Sequence, residues 1–161
     1  MLIVRVPLTH PDALRLIEQV QLEYVARYGT PDESPIRAEV FDPPDGAFFV
    51  GYLGDRPVAT GGWRRRSDLG VLGTEETAEI KRMYVVATAR GRGLARQVLA
   101  HLERTAAGAG AGAMVLETGI AQPEAIALYE SSGYREVPGF GHYRDSPLSR
   151  CYARTLVPLP G

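Results

Sequence analysis

An α/β fold built on a mixed, mostly antiparallel sheet is predicted by three features of this 161-residue sequence. An apolar run, Ile80–Val86, leads through the Gly-rich segment Arg90-Gly91-Arg92-Gly93-Leu94-Ala95 into a helix-like run ending near Ala107. The runs Phe48–Leu53 and Arg56–Ala59 flank Gly54-Asp55, which reads as a hairpin turn. A segment opened by Pro123 and closed by Gly133 obeys the Pro-first, Gly-last asymmetry of helices, and two strand-like runs follow it.

In chain order, Met1–Val6 reads as a strand. Pro11 to about Tyr28 reads as a helix, with Thr9 or His10 at its cap and Pro11 where a missing N–H costs nothing. Leu14, Ile17, Val20, Tyr24 and Tyr28 recur at three- and four-residue steps and predict one apolar face. Gly29 ends this helix. A short second helix around Pro35–Val40 is expected inside the long irregular stretch Thr30–Gly46. The hairpin comes next, then the polar loop Ser67–Glu76 and the long strand to Val86. The helix from about Gly91 to Ala107 carries Leu94, Ala95, Val98, Leu99, Leu102 and Ala106 on one stripe. Gly108–Gly112 reads as a helix exit, Ala113–Glu117 as a strand, and Tyr134–Val137 and Ser149–Leu156 as the last strands.

Composition bounds the function. The length predicts a single domain, residues 1–161, long enough to bury a real core. With 45% hydrophobic and 23% charged residues the chain has ordinary globular composition. A formal net charge of -1 argues against a nucleic-acid partner, which calls for a basic excess. Arg64-Arg65-Arg66 is the one basic cluster of note and reads as a solvated strand end. No stretch approaches the ~20 apolar residues of a membrane span, and Met1–Val6 lacks the flanks of a signal peptide. One cysteine makes no internal disulfide, so a cytoplasmic location is the expectation.

The segment Arg90–Ala95 carries the chemistry. The first N–H groups of a helix have no internal acceptor, and the helix dipole favours an anion there. Gly91 and Gly93 let an anion approach the backbone, and Arg90 and Arg92 add forked cationic donors. A pyrophosphate is the expected guest. The Walker-type loop would need Gly-Lys-Ser/Thr where Leu94-Ala95 stands. The dinucleotide fingerprint would need Gly or Ala where Arg96 stands, on a first strand.

Arg90, Gly93 and Ala95 fill the pattern R/Q-x-x-G-x-G/A, which resembles the acetyl-CoA-binding motif of the GNAT superfamily of N-acetyltransferases. Ala78–Val85 resembles the strand before that motif. Leu116-Glu117-Thr118-Gly119 resembles the next strand, and Gln122–Glu130 with Gly133-Tyr134 the second signature, a Tyr-bearing helix ending at Gly-aromatic. Order and spacing agree from about Ala47 to Val137. The resemblance implies a GNAT-like sheet of six to seven strands flanked by about four helices. It implies acetyl-CoA as cosubstrate, held by Met83, Tyr84, Val85, Arg90, Gly91, Arg92, Gly93, Leu94, Ala95, Arg96, Gln122 and Tyr129. No metal is expected, a small-molecule amine is the expected acceptor, and a homodimer stays open.

Acetyl transfer to an amine sets three demands. An alkyl amine of pKa near 10.4 is neutral in about one molecule in 2,500 at pH 7, so a base must take its proton. The thioester oxygen needs a donor as it gains charge. The leaving thiolate benefits from a proton. Glu79 is the candidate base, at a strand position where some family members carry a catalytic Glu. The alternative is a solvent-facing residue paired with Lys81 or an arginine. Glu117 is a rival base, and Glu75 and Glu76 could steer a cation. By resemblance the oxygen's donor is the backbone N–H of Tyr84 or Val85, and Tyr129 is the candidate general acid. Direct transfer in a ternary complex is expected.

His10 reads as a neighbour of a helix cap, His101 as a helix-surface residue, and His142 as part of a late aromatic loop that could line the acceptor pocket. Their spacing suits no metal. Cys151 reads as a small core residue. Thr30–Gly46, Ser67–Glu76 and Gly139–Pro147 are the expected walls of the acceptor pocket. A small amine or amino-acid-like acceptor leads, a protein Nα or lysine amine follows, and a non-catalytic CoA-binding sensor is the non-enzyme alternative.

Overall fold

The computed structural model describes residues 1–157. Seven strands form one sheet: β1 (Leu2–Arg5), β2 (Gly46–Leu53), β3 (Arg56–Arg65), β4 (Thr77–Val85), β5 (Ala113–Gly119), β6 (Arg135–Val137) and β7 (Ser149–Thr155), in the order β1-β2-β3-β4-β5-β7-β6. Every neighbouring pair is antiparallel except β4 with β5. Among the described residues three α-helices accompany it: α1 (Pro11–Tyr28), α2 (Leu94–Gly108) and α3 (Pro123–Ser131). The expected helix around Pro35–Val40 is instead a 3₁₀ turn at Ala38–Phe41, and a second 3₁₀ turn spans Ala87–Ala89. Pro35, and Pro43-Pro44 just beyond, leave room for little more than one turn.

The helices divide between the two faces. Alternation along β2 sends Phe48 and Val50 to one side, where they pack with Ala13 and Leu16 of α1 and with Phe41. Ala47 and Phe49 go to the other side, where Val98, Leu99 and Leu102 of α2 pack with Met114 and Leu116 of β5. Burying each of these large side chains contributes about 1.5–3 kcal/mol. The α2 stripe is as expected apart from Ala95, which is only half-buried. The α1 face is rotated: Ala13, Leu16 and Val20 are buried, and Leu14 is 48% exposed. The sequence holds two overlapping stripes that share Val20, and small Ala13 lets the helix approach the sheet on the other one. Nδ1 of His10 caps α1 by accepting from the Asp12 N–H at 3.1 Å. Edge-to-face packing on Phe49, with ring centroids 4.5 Å apart, half-buries His101 instead of leaving it on the surface. Among the described residues, no helix is long and apolar enough to cross a membrane.

Two irregularities open the sheet. The parallel pairing of β4 with β5 runs only from Thr77↔Ala113 to Glu79↔Val115, and beyond it the strands diverge. The β3–β4 register also slips between Thr60 and Gly62, opposite a bulge at Arg82. Arg82 has φ +56°, a left-handed conformation costing a non-glycine residue about 1–2 kcal/mol. Its buried guanidinium is held by the Asp32 carboxylate. The bulge turns β4 away from β5 and leaves a cleft through the middle of the sheet.

Candidate active site

The cleft holds a groove of about 380 Å³ between β4, the start of α2 and α3. Met83, Tyr84, Val85, Arg90, Gly91, Gly93, Leu94, Ala95, Arg96, Gln122 and Tyr129 all line it. Arg92, the remaining expected contact, is exposed and outside this lining. The first helical residue is Leu94, not Gly91, because Gly91 and Gly93 sit at φ +79° and +76°. Gly93 caps α2 and no side chain caps it. Its carbonyl takes the first helical bond, from Gln97 N–H at 3.2 Å. The N–H groups of Leu94, Ala95 and Arg96 therefore face outward without helical acceptors. No acidic residue occupies the first turn. These features fit a pyrophosphate.

The β3–β4 ladder selects one backbone donor. Val86 N–H donates to Val58 O at 2.9 Å, and Tyr84 and Val85 stand opposite Thr60 and Ala59. In an antiparallel ladder successive residues turn their polar groups alternately toward and away from the partner. Tyr84 N–H is thus spent on β3, and Val85 N–H points to the open side. On that side the Val85 carbonyl accepts from Arg90 Nε at 3.0 Å. Arg90 also donates to Glu23 at 2.7 Å.

Tyr129 is buried on α3, its ring 5.7 Å from that of Tyr134. Burial pushes its phenol well above the usual range, so the proton stays on. Tyr24 of α1 reaches the groove from across the cleft, and burial pushes its phenol up to about 12.

A second cavity, about 200 Å³, adjoins the groove. Thr30, Pro31 and Asp32, with Tyr143 and Ser146, bring two of the three expected segments into its lining. The third, Ser67–Glu76, contributes nothing to it. Tyr24, Glu117, Thr118 and Gln122 line both spaces. Burial raises the Glu117 carboxyl above its ordinary value, with the Lys81 charge opposing. The loop over Glu117 is close: a Cβ at Gly141 would lie 2.6 Å from Glu117 Oε2. The hydroxyl of Ser149, also in this lining, is buried with no hydrogen-bond partner among the described residues.

Glu79 sits elsewhere. Its side chain is 2% exposed, and Oε1 accepts from Arg64 Nη2 and Arg66 Nη1 at 2.9 Å each. Arg66 also clasps Asp68 with two bonds, at 2.9 and 3.0 Å. Arg64 and Arg66 are therefore clamps on a buried carboxylate, not a solvated strand end. Glu79 lines a third cavity of about 660 Å³, with His142, and neither lines the groove or the small cavity. Glu75 and Glu76 line none of the three. Cys151 is buried opposite Glu117, its Sγ 3.9 Å from Oε2.

Lys81 was not singled out by the sequence as a site residue. It follows Glu79 on the same face, is 9% exposed, and lines both the small and the large cavity. Its Nζ donates to Ser34 Oγ at 3.0 Å.

Comparison with known proteins matches residues 13–134 to the model of the Acetyltransferase (GNAT) family. An IAA acetyltransferase of Azospirillum brasilense is 45% identical over 71 residues, 44% of this chain and 46% of that protein. The matched stretches span about half the length of the curated relatives. A Klebsiella pneumoniae structure described as an acyl-CoA N-acyltransferase superposes with TM-score 0.78 at 25% identity, covering 97% of each chain. An acetyltransferase from Thermus thermophilus superposes with TM-score 0.66 at 25% identity, covering 97% of this chain and 98% of that one.

Proposed function

Because the chain belongs to the GNAT acetyltransferase family, we propose that it transfers an acetyl group from acetyl-CoA to the amine of a small molecule. The observation that carries this reading is the sharing of Tyr24, Glu117, Thr118 and Gln122 by the groove and the smaller cavity. A thioester end lying in the groove would meet an amine held in the cavity at Glu117. Acetyl-CoA supplies the activated acyl carbon. The N–H groups of Leu94, Ala95 and Arg96, with the open approach at Gly91 and Gly93, would hold its pyrophosphate.

The chain's residues divide the work. Glu117 takes the proton of the amine as its nitrogen bonds to the acyl carbon. The Val85 N–H donates to the oxygen that gains charge. The C–S bond then breaks and Tyr129 gives its proton to the departing thiolate. A base buried enough to resist ionisation binds a proton more readily than a solvated carboxylate, which suits Glu117 to the first step. Glu79, already spent on two guanidinium groups, is a structural ion-pair centre in this scheme.

The small volume of the cavity, bordered by two loops, supports a small-molecule acceptor, as does the name of the Azospirillum relative. Thiol release from acetyl-CoA across a panel of small amines and peptides tests the proposal. Turnover with a small amine is the expected result. Acetyl-CoA binding with no turnover on any amine would point to a sensor, and turnover on peptides alone would point to a protein acceptor.

A further inference from the structure

Lys81 is an ammonium nine-tenths buried between two cavities, and its one hydrogen-bond partner among the described residues is a neutral hydroxyl, Ser34 Oγ at 3.0 Å. The two carboxylates whose charge bears most on it are already engaged. Glu79 holds Arg64 and Arg66. Asp32 accepts from Arg82, from Ser34 N–H at 2.9 Å and from Ser34 Oγ at 2.6 Å. Burial lowers the Lys81 ammonium below its usual range, against the pull of Glu79 and Asp32. A buried cation without a bonded anion is costly, and burial would strengthen any anion paired with it.

The geometry points to an acceptor that carries a carboxylate as well as an amine, with the carboxylate on Lys81 and the amine on Glu117. This rests on the acyl-transfer reading of the site. The two residues share the wall of the small cavity, close enough that the Lys81 charge bears on the Glu117 carboxyl. Tyr24, Tyr28 and Leu148 give that cavity its apolar side. An amino acid with an apolar side chain matches all three surfaces. A dianion matches less well, because Asp32 and Glu117 face the same space as a single ammonium.

The test uses three amino acids, leucine, methionine and phenylalanine, each beside the amine lacking only the carboxylate, with the phosphonate analogue of leucine as a further arm. The parent enzyme should acetylate at least one amino acid with a kcat/KM tenfold or more above its matched amine, and above the phosphonate. Lys81→Met should lower kcat/KM for that amino acid at least tenfold more than for the matched amine, a ratio in which intrinsic amine reactivity cancels. Lys81→Arg should recover part of the difference. A parent that shows no preference, or a variant that lowers both by one factor, overturns the inference. Preference for the phosphonate would overturn the choice of carboxylate. Binding separates this from failure of the proposed function. If acetyl-CoA binds and no amine turns over, calorimetry of the N-acetyl amino acids with the CoA-loaded protein decides. Binding by the parent, weakened tenfold in Lys81→Met, upholds the carboxylate site. Absent or equal binding overturns it.

Discussion

Replacing Glu79 by Gln keeps the shape of a buried side chain and removes its charge. The side chain is 2% exposed, and its partners Arg64 and Arg66 are 21% and 17% exposed. Breaking a buried ion pair from one side costs about 3–5 kcal/mol, because the other charge is left uncompensated. Gln still accepts a hydrogen bond, Arg66 keeps Asp68, and both guanidinium groups reach some water, so the low end applies, about 3 kcal/mol. For a chain of this size each kcal/mol moves Tm by about 2–4 °C, which gives a fall of about 6–12 °C. Calorimetric melting checks the shift, and single-turnover acetyl transfer well below the melt checks the chemistry. The rate of Glu79→Gln should stay within about tenfold of the parent, less than the loss of a general base. A variant that melts within 2 °C of the parent and loses a hundredfold in rate would make Glu79 the base and refute this reasoning.

Three other outcomes follow from the same geometry. Tyr129→Phe removes the donor and keeps the ring; turnover measured by single-turnover quench should fall roughly 10²-fold with acetyl-CoA affinity little changed, and transfer at the parent rate would make Tyr129 a packing residue. In Gly93→Val the added Cβ meets nothing within 4 Å, but the residue must adopt φ +76° at a cost of about 1–2 kcal/mol; it should fold and lose at least tenfold in CoA affinity by calorimetry, and unchanged affinity would remove the loop from the site. Glu117→Gln should leave Tm equal or higher at neutral pH. A carboxyl whose folded pKa is raised adds stability below its unfolded value and loses it as pH rises through the folded one, and Gln has no such loss. A large fall in Tm would mean that the charge is structurally required.

Features that depend on local chemistry were legible in the sequence. The Arg90–Ala95 loop, the Pro123 start of α3 with Tyr129 on it, and the Gly54-Asp55 turn each need only a few neighbouring residues. What escaped depends on long-range register. Glu79 and Glu117 are both strand carboxylates, and only the end of β4–β5 pairing at Glu79↔Val115 separates a clamped one from one that borders the cleft. The bulge at Arg82 is not marked by a glycine, so nothing local announced it. The clamp on Glu79 arises because Arg64 stands opposite it on β3, a pairing that the hairpin sets from a distance. Lys81 gained its interest only when loops 29–37 and 138–148, which have no periodicity, folded over it.

In this scheme Glu117, at the junction of groove and cavity, takes the proton from the acceptor amine. The pH dependence of single-turnover acetyl transfer by parent and Glu117→Gln measures this most directly, with one acceptor at saturating acetyl-CoA. The parent rate should rise with pH as Glu117 ionises. The variant should lose about 10²–10⁴-fold at neutral pH and recover toward high pH, where the amine is already free. Parallel profiles with equal plateaus would contradict the claim and return the role of base to solvent or to another residue.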